Sequence, residues 1–128
     1  MKHLIDSMPF ATRLGISMSE AETSKVVGAM TVQPEFCTVG ESVHGGALMA
    51  FADSLAAIGA YLNLPEGSQR TTTIESKTNF LGRAAKGEII TAVSTPVSVG
   101  KHISVWQTAI HTSDGKQVAL ITQTQLVL

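Results

Sequence analysis

The second half of the chain alternates residue classes with a period of two. Residues 71–81, 88–99, 101–112 and 116–127 each keep that alternation, which predicts β-strands. An earlier stretch from Lys25 to Gln33, KVVGAMTVQ, is rich in β-branched residues and reads as another strand. The later strands are separated by GRAAKG at 82–87, by Gly100-Lys101 and by Asp114-Gly115. The last break is the sharpest, because both residues tolerate the positive φ that a two-residue hairpin turn needs. Consecutive hairpins predict an antiparallel meander.

The first half carries the helical period. Leu4, Ile5 and Met8 space a short helix over residues 2–13, interrupted near Pro9, and Leu14-Gly15-Ile16 turns into extended chain. A loop is expected from Pro34 to Val43. From about Gly45 to Leu62 the sequence predicts a long apolar helix, stopped by Asn63 and Pro65. At 100° per residue, Leu48, Phe51, Leu55, Ile58 and Leu62 form one stripe, the face that presses into a concave sheet. The opposite side carries Gly46, Met49, Ala50, Asp53, Ala57 and Ala60. One long helix with about five strands predicts an α+β architecture in which the sheet curls around the helix. A helix apolar on both sides is buried on both sides, and the chain has no further layer for the second face. A second copy of the chain is therefore expected there, with Asp53 near the subunit boundary.

Length and composition narrow the function. The 128 residues suffice for one domain, residues 1–128, and are too few for two. Nine basic and ten acidic residues leave a net charge of −1, with no basic stripe to meet a phosphate backbone, so nucleic acid is not expected as a partner. The single Cys37 cannot close an internal disulfide, and MKHLIDSMPFATRLG has no signal-peptide apolar core, so the expected location is cytoplasmic. The central helix holds His44 at its start, Asp53 within it and Asn63 at its end, and barely reaches the roughly 20 apolar residues of a membrane span, so no membrane role is expected. His3, His102 and His111 have no metal-ligand spacing, and no metal is expected.

Asp53 is the only carboxylate between Glu41 and Glu66, and burying an acid in an apolar helix is costly enough to imply a use for it. Nine residues earlier, His44-Gly45-Gly46 marks the change from loop to helix. The first amides of a helix lack internal partners, and together with the macrodipole they form an anion site. Glycines keep that site open to close approach, and an oxyanion developing on a carbonyl would be stabilised there. Asp53 lies about 12 Å farther along the axis, so the two features meet only if helices from two chains run antiparallel.

The spacing of His44-Gly45-Gly46 and Asp53, followed by TTTIESKTNFLGRAAKGE, resembles the hotdog-fold acyl-CoA thioesterases. The likeness is to the PaaI-like branch of the 4-hydroxybenzoyl-CoA thioesterase superfamily, and it runs from Pro9-Phe10 to the final strand. The resemblance implies a long central helix wrapped by a five- or six-stranded antiparallel sheet, homodimers that join their sheets edge to edge, and pairs of dimers forming tetramers. It also implies hydrolysis of an acyl-CoA to free acid and coenzyme A, with no cofactor beyond the coenzyme A of the substrate. Asp53 would be general base or nucleophile, the Gly45 amide would polarise the carbonyl, and His44 would position the thioester. A family Ser or Thr, supplied by the partner subunit to orient the water, aligns with Thr73. Pantetheine and nucleotide phosphates would lie along Arg83, Gly100, Lys101 and His102. The resemblance further implies substrate contacts at Gly46 and at position 38, where relatives carry Asn or Gln and this chain has Thr38. Three residues before the His, the usual Gly is Glu41. Walls of the acyl tunnel are expected from Met49, Ala50, Phe80 and the N-terminal helix. The alternative function is a non-catalytic acyl-CoA binding module.

Overall fold

The computed structural model describes residues 1–128. Two short helices, α1 (Lys2–Asp6) and α2 (Pro9–Leu14), open the chain, and Pro9 separates them because it takes the first helical position without needing an N–H partner. Strands β1 (Ser17–Glu22) and β2 (Lys25–Thr31) follow, then a single 3₁₀ turn at Pro34–Phe36 within the expected loop. The long helix α3 runs from Gly45 to Leu62. Strands β3 (Thr71–Phe80), β4 (Ile89–Val99), β5 (Ile103–Thr112) and β6 (Gln117–Val127) complete one antiparallel sheet in the order β1-β2-β4-β5-β6-β3. The sheet wraps α3, which touches all six strands. This is the helix-in-sheet layer of the hotdog fold.

Leu48, Phe51, Leu55 and Ile58 of the expected stripe are buried, with Leu62 packed against them. They meet Val26, Met30, Ile90, Ala92, Ile110 and Ile121 from the sheet. An 18-residue helix of mean hydropathy 1.4 has the length and composition of a membrane span, but its apolar stripe is spent on the core.

Four details depart from the sequence reading. A sixth strand, β1, pairs with β2 where only extended chain was expected. Ala60 belongs to the core rather than to the face around Asp53: with Ala56 and Gly59 it forms a slot for the fully buried Trp106, and a Cβ on Gly59 would lie 2.5 Å from the indole. The Asp114-Gly115 turn is longer than two residues, spanning 113–116. Only Gly115 takes a positive φ, of 87°, while the Asp114 carboxylate is held by the Thr112 hydroxyl. Finally, β3 does not alternate throughout. A bulge between Thr73 and Glu75 leaves Thr71 and Thr73 half-buried on one side of it and Ser76 and Thr78 half-buried on the other. Bulges of this kind re-aim side chains, and Thr73 sits beside one.

Candidate active site

Asp53 is half-buried at the middle of α3, facing the inner surface of β3 and β6. Its Oδ1 accepts two hydrogen bonds, from the Thr73 hydroxyl at 2.6 Å and from Gln123 Nε2 at 2.8 Å. Gln125 Nε2 in turn donates to Thr73 Oγ1 at 2.6 Å. The direction of the relay follows from chemistry: a carboxylate only accepts, so Thr73 must point its proton at Asp53 and take one from the glutamine amide. Both glutamines are fully buried. Every protein donor to Asp53 reaches Oδ1, and Oδ2 is left free of protein partners. A carboxylate held by one oxygen with the other open can take a proton or attack an electrophile.

Thr73 thus stands beside the acid of its own chain, whereas the resemblance implied a hydroxyl from the partner subunit. Gln123 and Gln125 were absent from the sequence reading. The signal for them is their period-two spacing with Ile121, which places both on the buried face of β6.

The second group of expected residues gathers at the start of α3. His44 is the N-cap, and its Nδ1 accepts the Gly46 N–H at 2.8 Å, which in the neutral ring leaves the proton on Nε2. The His44 carbonyl accepts from Ala47 and Leu48. The Gly45 N–H, the first of the helix, has no partner within the chain. Phe80 lies against Gly45: a Cβ there would come within 2.9 Å of the ring. The structure therefore provides one helix-terminal amide free to meet an oxyanion.

The loop before His44 supports that end. Thr38 is exposed, and its backbone N–H bonds Ser42 O at 2.8 Å. Glu41 has a φ of 57°, the left-handed conformation that favours glycine, which explains physically why a Gly suits this position. Lys86 Nζ reaches Glu41 at 2.8 Å, and this hydrogen bond and its charge hold the Glu41 carboxyl below its ordinary range and raise Lys86 above its own. Arg83 donates to Gly40 O at 2.6 Å, so the guanidinium braces this loop. Met49 is half-buried on α3 between the two groups. Gly100, Lys101 and His102 form the exposed β4–β5 turn, and the His102 carbonyl accepts from Val127. That turn adjoins the Thr71 end of β3, since Val127 pairs with Thr71, whereas Arg83 follows its Phe80 end. The structure therefore does not bring the four expected coenzyme-binding residues together within one chain.

Residues 40–119 match the model of the thioesterase superfamily, so the match takes in the His44-Gly45-Gly46 cap, Asp53 and Thr73. The chain belongs to the thioesterase superfamily. Within it, the 1,4-dihydroxy-2-naphthoyl-CoA thioesterase 2 of Arabidopsis thaliana is 37% identical over 94 residues, covering 73% of this chain. The match spans 59% of the plant protein's length. Among solved structures, the Escherichia coli PaaI protein of the phenylacetic acid degradation operon superposes with a TM-score of 0.90 at 23% identity, over 99% of this chain and 89% of that one. A Streptococcus pneumoniae protein described as a hypothetical thioesterase, solved with coenzyme A, gives a TM-score of 0.81 at 21% identity, covering 88% of this chain and 85% of that one. These two likenesses show that the thioesterase-superfamily chain has the hotdog fold.

Proposed function

We propose that this chain is an acyl-CoA thioesterase whose active site is shared between two subunits of a homodimer. The observation that carries the reading is the state of Asp53: a carboxylate on an apolar helix, fixed through Oδ1 by Thr73 and Gln123, with Oδ2 open. Binding alone needs no oriented base. In the proposed reaction water attacks the thioester carbon while Oδ2 takes its proton, and the carbonyl oxygen becomes an oxyanion on the Gly45 N–H. The C–S bond then breaks, and coenzyme A thiolate leaves with the proton that Asp53 held. In the nucleophilic variant Oδ2 itself attacks the thioester carbon and the C–S bond breaks to expel coenzyme A thiolate; water then cleaves the resulting anhydride, giving the free acid and the Asp53 carboxylate while the thiolate takes up the released proton. The coenzyme A named for the relatives supports the substrate class.

Two chains are needed because Gly45 and Asp53 are about 12 Å apart along one helix. The edge strand β3 supplies the means. Its outer side is unpaired within the chain for 10 residues, a length of open edge that natural proteins cover or pair. Thr73 lies near one end of β3 and touches Asp53; Phe80 lies at the other end and touches Gly45. Antiparallel pairing of β3 with its own copy about a twofold axis sets the Phe80 end of one chain beside the Thr73 end of the other. The amide of one subunit then faces the acid of its partner, and Arg83 of one chain comes to the end where the β4–β5 turn of the other lies. Pairing of such dimers into tetramers and residence in the cytoplasm belong to the same proposal.

The test is release of free thiol from short, medium, long and aryl acyl-CoAs, with Asp53→Ala in parallel. Turnover that falls about a hundredfold or more in the variant, the scale of a lost general base, supports the enzyme. Binding of intact acyl-CoA with no turnover on any member supports the binding module instead.

A further inference from the structure

A cavity of about 660 Å³ lies between α1, the C-terminal half of α3 and the start of β3. Its lining reaches Ala57, one helical turn beyond Asp53, and Thr71, two residues before Thr73, so it lies next to that pair. Leu4, Met8, Ile58 and Leu62 give the walls an apolar character.

The lining also includes Arg70, His3 and Tyr61, and no carboxylate. Arg70 joins none of the ion pairs of the chain, and its guanidinium makes no hydrogen bond within it. Its backbone is fixed on both sides, N–H and C=O each bonding Leu128. A guanidinium is always charged and presents a planar fork of donors suited to a carboxylate. Tyr61 lies two turns past Asp53, roughly 12 Å along the helix, which is the depth available to an acyl group whose carbonyl sits at the acid.

We propose that this cavity receives the acyl group and that Arg70 selects acyl chains ending in an anion, so that the preferred substrates are ω-carboxyacyl-CoAs of medium length. The inference rests on the thioesterase reading for the placement of the carbonyl. Charge complementarity chooses the occupant: the guanidinium of the exposed Arg70 stays hydrated beside a plain alkyl end and gains nothing from it, whereas a terminal carboxylate pairs with it while the methylenes line the apolar walls.

The experiment compares suberoyl-CoA with octanoyl-CoA, equal in chain length and different only at the far end. The readout is the ratio of their kcat/KM values in the wild type, Arg70→Met and Arg70→Lys. Wild-type protein is expected to favour suberoyl-CoA about two- to fivefold, the scale of an ion pair at an exposed guanidinium. Arg70→Met should reverse the preference and Arg70→Lys restore part of it. Equal rates or an octanoyl preference in the wild type would overturn the proposal. So would an Arg70→Met protein that slows both substrates alike, since a structural role lowers both and leaves the ratio unchanged. Equilibrium binding of the same two thioesters to Asp53→Asn separates this inference from the thioesterase reading. If no thioester is hydrolysed, tighter binding of suberoyl-CoA still supports the cavity assignment, and equal binding overturns it.

Discussion

Asp53→Asn and Thr73→Val should pull stability and activity in opposite orders. An asparagine at 53 keeps an oxygen in the place of Oδ1, so Thr73 and Gln123 retain their acceptor at 2.6 and 2.8 Å. Two bonds lose their charge assistance, costing about 1–3 kcal/mol, while the desolvation of a half-buried charge is relieved. These terms oppose, and the net change in stability should be within about 1 kcal/mol. Valine at 73 conserves shape but removes a donor to the carboxylate, about 1.5–3 kcal/mol, and leaves the buried Gln125 amide without its acceptor, about 1–3 kcal/mol. Water can reach the half-buried Asp53 and replace part of the first loss, so the expected destabilisation is about 2–4 kcal/mol. Activity should run the other way. Asp53→Asn loses the base and about a hundredfold or more of kcat, whereas Thr73→Val keeps the base and loses about tenfold through misorientation. Urea unfolding and thiol release on the same preparations provide both numbers. An Asp53→Asn protein that unfolds as easily as Thr73→Val, or that keeps most of its kcat, would refute the assignment of Oδ1 to the scaffold and Oδ2 to chemistry.

Other consequences concern the scaffold. Gly59→Ala gains about 1 kcal/mol of helix propensity but drives a methyl to 2.5 Å from the buried Trp106, whose Nε1 is tied to Ser104. Overpacking of about 1–3 kcal/mol offsets or exceeds the gain, and denaturant unfolding should show a net loss of up to about 2 kcal/mol. At Glu41, with φ of 57°, Glu41→Gly and Glu41→Ala lose the same contact with Lys86 and only the former relieves the backbone, so its Tm should be higher by a few degrees. The hydroxyl of Thr112 holds the Asp114 carboxyl below its ordinary value of 3.8. The stability it contributes is present above that value and is lost as pH falls through the lower folded-state one. In Thr112→Val the Asp114 midpoint, followed by NMR, should climb back toward 3.8.

The helix and most of the sheet could be read from sequence because each shows its period over ten or more residues, long enough for burial to impose a pattern. β1 could not: SMSEAE holds only Met18 and Ala21 as apolar residues, and its order comes from pairing with β2. Asp53 was legible because an isolated acid in an apolar helix is costly, and the cap was legible from its glycines. Gln123 and Gln125 were hidden for the converse reason. A polar residue in an alternating strand reads as solvent-facing, and only the fold shows that their amide N–H groups donate to Asp53 and Thr73 rather than to water. The Asp114-Gly115 turn was misjudged because aspartate can use its side chain instead of a positive φ.

In the shared site, one subunit supplies Asp53 and the other the Gly45 amide. Two inactive variants test it. Asp53→Asn removes the base, and Gly45→Pro deletes the amide donor at the first helical position, where proline is accepted once the exposed Phe80 ring, 2.9 Å from a Cβ at 45, swings aside. Each alone should be inactive. Dissociated together and allowed to reassociate at random, half the dimers become mixed, and each mixed dimer holds one intact site. Mixing should therefore recover about a quarter of wild-type thiol release, as twofold symmetry requires. If the mixture stays as inactive as its parents although mixed dimers form, both groups serve the same chain's site and the shared active site is wrong.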